Sequence, residues 1–322
     1  MKVDLFYLSP NPYGGWVTYT SHLIDVLQES EVEVELFKIR SRSEKTTRDF
    51  GYGKRYRNIS MAEALSRTNK KLIVAAAKTF QEESSTLYKE GGAGLVVHDP
   101  TELKNLPALD GRVIVIRKVG LETIPQATFI RHPYMMRGVY EINDKRTHAI
   151  SVSRIDFDKH TDILLDANRL LPDDFKIQIR GFENRIYTRF KIIPNYPEWV
   201  QSKAAYPRTK TAALELLFQS HYNVDMSQIK GDGGGSQYTF LEAFDAECVN
   251  IIHKSWIRPN DDMVPFVNCL AVENAEELAD ILNSIPSEEG LRDIRANGLT
   301  SLVNLHNYVV IGEQYREFFK SI

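Results

Sequence analysis

Cysteine is scarce: Cys248 and Cys269 are the only two in 322 residues. Two cysteines build no disulfide framework and lack metal-ligand spacing, which excludes a disulfide-stapled module and a zinc domain. Both stand in apolar surroundings and read as buried free thiols. Long hydrophobic runs are missing as well, none approaching the ~20 residues of a membrane-spanning helix. The opening MKVDLFYLS carries Asp4 inside its short apolar stretch, unlike the design of a signal peptide. These absences predict a cytoplasmic protein, in the host cytoplasm if it is viral. A strong charge of one sign is also lacking: the net charge is −3, which argues against indiscriminate polyanion binding by the whole surface. Tandem repeats and low-complexity linkers are absent too.

What is present is globular, 43% hydrophobic and 26% charged. The length exceeds what one ordinary core needs and predicts two domains. Lys2 to Leu8 is rich in strand formers; a loop ending in Gly14-Gly15 follows, then a helix over Trp16 to Glu29 and an alternating strand over Val32 to Ile39. Ser60 caps a helix, with Glu63 three residues on completing a capping box. Strands at 71–77, 94–97, 112–116 and 128–130 alternate with helices at 80–89 and 102–109. The pattern pauses near Asp144 to Arg146 and restarts. Strands then fall at 149–152, 175–179, 224–229 and 249–253, and helices at 161–171, 209–220, 274–284 and 287–302. Alternation of this kind predicts α/β architecture: two Rossmann-like domains with parallel sheets facing across a cleft. The expected domains are 1–146 and 147–306, with the aromatic tail 307–322 packing back on the first. Ligands of such sheets bind at the carboxyl ends of strands, where Gly14-Gly15 and His98-Asp99 fall.

The average charge hides a segregation. Lys38 to Arg57 holds eight Lys or Arg against Glu44 and Asp49, a net of +6. Arg180 to Lys210 holds seven against Glu183 and Glu198, a net of +5. Both interleave aromatics, Phe50, Tyr52 and Tyr56 in one and Tyr187, Phe190, Tyr196, Trp199 and Tyr206 in the other. Basic residues with stacking platforms suit nucleic acid, and a solvated loop explains the same composition. The first stretch mixes glycine with charge and has no period, so it reads as a loop. Pro194, Pro197 and Pro207 argue against long regular structure in the second. Arg48, Lys54, Arg55, Arg57, Arg185, Arg189 and Lys191 are the acceptor or nucleic-acid candidates.

The most informative stretch is Gly231 to Ile252, GDGGGSQYTFLEAFDAECVNII. Four glycines in five residues can bring backbone N–H groups round an anion. A helix starting near Ser236 to Thr239 would aim its positive end at the same place, with Glu242 just inside the first turn. Upstream, Arg154 and Lys159 straddle a strand-to-helix loop where two cations can meet a diphosphate. Asp156-Phe-Asp158 spells an acid-x-acid metal pattern but sits inside that loop and reads as coincidence. Gly231 to Ser236 lies too deep in the chain for a dinucleotide fingerprint.

In this order, the pieces resemble a retaining GT-B fold glycosyltransferase of family 4, including its phage-type DNA-modifying members. Gly14-Gly15 matches that family's glycine pair, His98 its first-domain histidine, and Ser153-Arg154…Lys159 its Ser-Arg-(four residues)-Lys. The loop Gly231 to Gly235, Leu241-Glu242-Ala243 and Val249 to Ile252 match its late signature. The resemblance implies transfer of a sugar, with retention and no metal or resident cofactor, from a nucleotide-diphosphate sugar, UDP-linked, to an acceptor hydroxyl. It implies Arg154, Lys159 and His98 as catalytic residues. Gly14, Gly15, Asp232, Gly233, Gly234, Gly235, Tyr238, Thr239 and Glu242 would bind the donor. The chain departs from the pattern twice: His160 follows Lys159 where the family has glycine, and Gly234 stands where it has an acid, for which Asp232 is the nearest substitute. A modified base in DNA is one acceptor, and a saccharide, lipid-linked or small-molecule acceptor is the alternative. A degenerate module that only binds nucleotide or nucleic acid, and an NAD-dependent oxidoreductase, are the rival classes. Oligomeric state is not legible.

Overall fold

The computed structural model describes residues 1–10, 14–98, 109–136, 147–199, 211–228, 234–284 and 288–322. It divides into two compact units, Met1–Met135 with Leu305–Ile322, and Met136–Asn304. The expected boundary at 144–146 and most of the expected helix at 102–109 lie outside the described residues, as does Asp99.

The first unit runs β1 (Lys2–Leu8), α1 (Gly15–Glu29), β2 (Glu33–Ile39), β3 (Thr47–Gly51), β4 (Lys54–Ile59), α2 (Met61–Ser66), β5 (Lys70–Ala76), α3 (Gln81–Lys89), β6 (Gly94–Val97), β7 (Val113–Val115), α4 (Gly120–Thr123) and β8 (Thr128–Phe129). Its strands lie in the order β3-β4-β2-β1-β5-β6-β7-β8, parallel apart from β3. β1 is buried from Val3 to Leu8, as an apolar strand covered on both faces must be. Asp4 inside it is fully buried and held by Arg67, whose Nε lies 2.6 Å from Oδ2, and by Asn69 Nδ2 at 2.9 Å. The Ser60 hydroxyl accepts the Glu63 N–H at 3.2 Å, the expected cap. The box is not reciprocal, because the Ser60 N–H goes to Ser43 and Glu63 pairs with Arg57.

The second unit runs β9 (Thr147–Val152), α5 (Thr161–Leu170), β10 (Ile177–Arg180), α6 (Arg185–Tyr187), α7 (Ile193–Asn195), α8 (Ala212–Phe218), β11 (Ser220–Asp225), α9 (Tyr238–Asp245), β12 (Val249–His253), β13 (Cys269–Val272), α10 (Ala275–Asn283) and α11 (Glu288–Leu305). Its five strands are all parallel, in the order β10-β9-β11-β12-β13. The chain leaves β9 in one direction for β10 and returns on the other side for β11, so a topological switch point falls between β9 and β11. The last helix, α12 (Tyr308–Ser321), belongs to the first unit. Its Tyr315 hydroxyl bonds that of Tyr19 on α1, and Phe318 covers Gly94 at the start of β6. Tyr315, Phe318 and Phe319 are all buried, each large apolar side chain contributing about 1.5–3 kcal/mol on burial.

Four expectations need correction. The first basic stretch is not a loop but the β3–β4 hairpin on the sheet edge, turning through Gly51, Tyr52 and Gly53, all at positive φ. Charged side chains are what an exposed edge strand carries to discourage further pairing, so charge without period hid a strand. The second stretch is helical despite its prolines: α6 and α7 are joined by a π-helical turn, Thr188–Ile192, with Pro194 in the first turn of α7 where no N–H is needed. The strand expected at 224–229 starts earlier, at Ser220, and ends at Asp225. β13 was not legible, its four residues being too short for a period.

Candidate functional site

The switch point of the second sheet brings together the loops that follow β9 and β11, and ligands of open α/β sheets bind there. The loop after β9 carries Arg154 and Lys159. Ser153 N–H bonds Arg180 O at 3.1 Å and Ile155 N–H bonds Phe182 O at 3.0 Å, which extends the pairing with β10 beyond the strand. Gly181 makes this approach feasible, since a Cβ there would lie 1.6 Å from Ser153 O.

Lys159 reaches the start of α9. Its Nζ donates to Gln237 Oε1 at 3.1 Å. The Gln237 amide passes the link on, Nε2 to Ser227 Oγ at 2.9 Å, and the Ser227 hydroxyl donates to Asp225 Oδ1. Thr239 Oγ1 donates to Asp225 Oδ2 at 3.0 Å, and Trp256 Nε1 holds Ser227 O at 2.9 Å. Asp225 is 2% exposed. Burial alone would raise its pKa, but the charge of Lys159 and the bonds from Ser227 and Thr239 outweigh that and hold it below the ordinary value. Gln237 is the N-cap residue of α9, yet its side chain makes no capping bond because it is spent on this chain of contacts. Asn223 and Asn250, paired at 2.8 Å and bonded to the Thr239 and Phe240 carbonyls, fix α9 against β11 and β12. Asp225, Ser227 and Gln237 escaped the sequence reading; a polar run at a strand's end, before a glycine loop, was the only signal.

Arg154 is exposed and occupied differently. Its Nη1 lies 2.8 Å from Asp156 Oδ2 and its Nη2 2.9 Å from Asp158 Oδ2. The acid-x-acid pattern is thus the arginine's counter-charge, and no group able to hold a metal occurs among the described residues. His160 adopts the left-handed conformation, φ +46 and ψ +49, that favours glycine, which explains why glycine is the usual residue there.

The glycine loop departs from expectation in three ways. Asp232 and Gly233 lie outside the described residues. Gly234 and Gly235 have φ of +94 and +69, as a nest requires, but the Gly235 N–H already bonds a carboxylate, Asp261 Oδ2, at 2.7 Å. Glu242 is not in the first turn of α9, because the helix starts at Tyr238; it lies one turn further in and is buried, as is Tyr238.

In the first unit Gly14 (φ +95) and Gly15 open the N-terminus of α1, and a Cβ at either would meet no atom within 4 Å. His98 closes β6 with one ring nitrogen 2.8 Å from Val74 O and its ring edge-on to Tyr19, centroids 4.6 Å apart.

Most of the nucleic-acid candidates are paired. Arg48 meets Glu44 at 2.7 Å, Lys54 meets Asp25, Arg57 meets Glu63 at 3.1 Å and Lys191 meets Asp162 at 3.2 Å. Arg55 bonds Thr47 across the hairpin. Arg185 and Arg189 face solvent, Arg189 over the ring of Phe190. The stacking platforms are mostly turned inward: Phe50 and Tyr56, with Tyr7, enclose the Lys38 ammonium, and Tyr187 and Tyr196 are core residues. Phe190 is outward, 68% exposed. Burial lowers the Lys38 pKa, with the charge of Arg40 adding to it.

No protein-family model matches the chain, and no curated protein matches it in sequence. Solved structures match nearly all of it. One is Anabaena Alr3699/HepE in complex with UDP and glucose, 14% identical over 99% of this chain and 100% of that one, TM-score 0.69. Another is an alpha-glucosyltransferase in complex with UDP and a 13-mer DNA containing an HMU base, 12% identical over 99% of both chains, TM-score 0.67. A third is the lipopolysaccharide outer core galactosyltransferase WaaB, 12% identical over 100% of this chain and 99% of that one, TM-score 0.62. Identities this low carry the fold and no more. The chain has the GT-B fold, two Rossmann-like units each built on a predominantly parallel sheet.

Proposed function

We propose that this chain is a retaining glycosyltransferase that moves a sugar from a UDP-linked donor to an acceptor hydroxyl. The observation that carries the reading is the link from Lys159 to Gln237, which sets a cation beside the start of α9 at a switch point. A diphosphate suits that place, since the ammonium and the helix N-terminus both favour negative charge. In the transfer the bond from the anomeric carbon to the diphosphate breaks, and the electron pair leaves with the phosphate oxygen. The acceptor oxygen takes its place on the same face and releases its proton. Lys159 and Arg154 stabilise the charge that grows on the leaving group, Arg154 exchanging Asp156 and Asp158 for phosphate oxygens. Glu242 accepts hydrogen bonds from ribose hydroxyls, and residues 147–306 bind the donor. The first unit, with Gly14, Gly15 and His98 at its carboxyl edge, is assigned the acceptor. Neither a metal nor a resident cofactor takes part in this reading. The test is turnover of a panel of UDP-sugars against candidate acceptors; a purified protein that neither transfers nor hydrolyses any of them refutes it.

For the acceptor we propose a hydroxylated base in DNA, a reading supported by the outward Arg185, Arg189 and Phe190 and by the DNA-bound structural neighbour. It predicts duplex binding that weakens steeply with salt, and Arg185→Ala with Arg189→Ala should make the log–log salt slope shallower by about two. No gel shift at low salt would discard it. A saccharide, lipid-linked or small-molecule acceptor is favoured by one observation, the neutralised cations and enclosed aromatics of the β3–β4 hairpin.

A further inference from the structure

Asp261 comes to the glycine loop from a distant segment. Its Oδ2 accepts the Gly235 N–H at 2.7 Å and its Oδ1 the Asp262 N–H at 2.8 Å. A carboxylate has about four acceptor sites, so these two bonds fix its plane and leave capacity for more. The segment is anchored in the core: Asp262 and Met263 are buried, and Asn268 Nδ2 ties Asp262 O at 2.8 Å and Ser301 Oγ at 3.0 Å. A Cβ on Gly234 would lie 2.2 Å from Asp261 Oδ2 and 3.0 Å from Arg258 Cγ. The carboxylate therefore fills the space that a side chain at 234 would take, and the bare Gly234 is what admits it.

The sign of this group sorts the parts of a donor. A carboxylate on the Gly235 N–H keeps phosphate away from it, because like charges ~4 Å apart near a protein surface repel by several multiples of thermal energy. The diphosphate is left to Lys159 and the start of α9. Sugar hydroxyls, neutral donors, suit a carboxylate and bond it more strongly than they bond a neutral acceptor.

We propose that Asp261 accepts hydroxyl hydrogen bonds from the donor's sugar and so determines which sugar the enzyme takes. The assignment rests on the reading of the chain as a UDP-sugar transferase. The experiment is calorimetric titration of wild type, Asp261→Asn, Asp261→Ala and Gly234→Ala with UDP and with a panel of UDP-hexoses. Asp261→Asn keeps an acceptor for the Gly235 N–H and so keeps the loop in place. Both Asp261 variants should bind UDP as tightly as wild type or more tightly, and lose about tenfold to a hundredfold in affinity for the preferred UDP-hexose, the size of a lost charge-assisted hydrogen bond. Gly234→Ala should show the same loss, because its methyl group displaces the carboxylate. An unchanged ratio of UDP-hexose to UDP affinity in both Asp261 variants overturns the assignment, and so does an equal loss for both ligands, which would mark a purely structural role. A wild-type protein that binds neither UDP nor any UDP-hexose overturns the transferase reading, and the assignment with it.

Discussion

Lys159 Nζ and Gln237 Oε1 lie 3.1 Å apart although 78 positions separate them in the sequence. One follows β9 and the other opens α9, and the parallel pairing of β9 with β11 is what makes their loops neighbours. The cation stays close to a buried carboxylate, Asp225, without touching it, with Gln237 and Ser227 as intermediaries. A lysine held this way is oriented yet not consumed by a direct ion pair, which suits a group that must meet an incoming diphosphate.

Arg154 should matter for activity and little for stability. Its partners are on its own exposed loop, where ion pairs contribute about 0–1 kcal/mol. Arg154→Ala is expected to lower kcat/KM by about a hundredfold or more, the usual loss for one donor to a developing anion. Steady-state kinetics beside a thermal melt checks this. Near-normal turnover would remove Arg154 from the site.

Asp225→Asn should change how stability depends on pH. The folded state depresses the Asp225 pKa, so its contribution is fully present above the unfolded value of about 3.9 and is lost as pH falls through the folded value. Wild type is expected to exceed the amide variant by about 1.5–3 kcal/mol near neutrality, as for hydrogen bonds to a charged group. Urea titrations between pH 7 and pH 3 should show the difference shrinking toward acid. A difference that is constant with pH contradicts a depressed pKa.

His160→Gly should stabilise the protein. A non-glycine residue in the left-handed region costs about 1–2 kcal/mol, and the freer unfolded chain of glycine takes back about 0.4–1 kcal/mol. The net gain of about 0.5 kcal/mol or more is read as a higher urea midpoint at unchanged slope. His160→Ala keeps the strained backbone and should show no such gain.

Gly94 and Phe318 should be coupled. A Cβ at Gly94 would lie 2.8 Å from the Phe318 ring, so Gly94→Val drives the ring of α12 off the sheet, at about 1–3 kcal/mol for overpacking. Phe318→Ala alone costs about 3–5 kcal/mol. The double variant should be more stable than the sum of the two predicts, by about 0.5 kcal/mol or more, because the alanine makes room for the valine. Strict additivity in denaturant melts would mean that the ring has another place to go.

The elements legible beforehand were those whose burial leaves a period. β1, β6 and β12 are apolar runs and α1 and α5 carry a buried stripe, so composition alone located them. The β3–β4 hairpin was misread because it lies on the sheet edge, where charge replaces apolar alternation. Arg154, Lys159 and the glycine loop could be singled out because few other uses exist for cations and bare backbone at strand ends. Asp261 could not, since an acid in a polar loop resembles any other until the chain is folded.

The sequence by itself determined the alternation of strands and helices, and through it a pair of α/β units with parallel sheets, because hydrophobic periodicity is a local property. The tertiary structure decided the partners. It put Asp156 and Asp158 on Arg154, enclosed Lys38 in aromatic rings, and laid Asp261 over Gly234. Charge–charge, ring and hydrogen-bond contacts act over a few ångströms between residues far apart in the chain. Strand order, which local patterning leaves open, selects which of them meet.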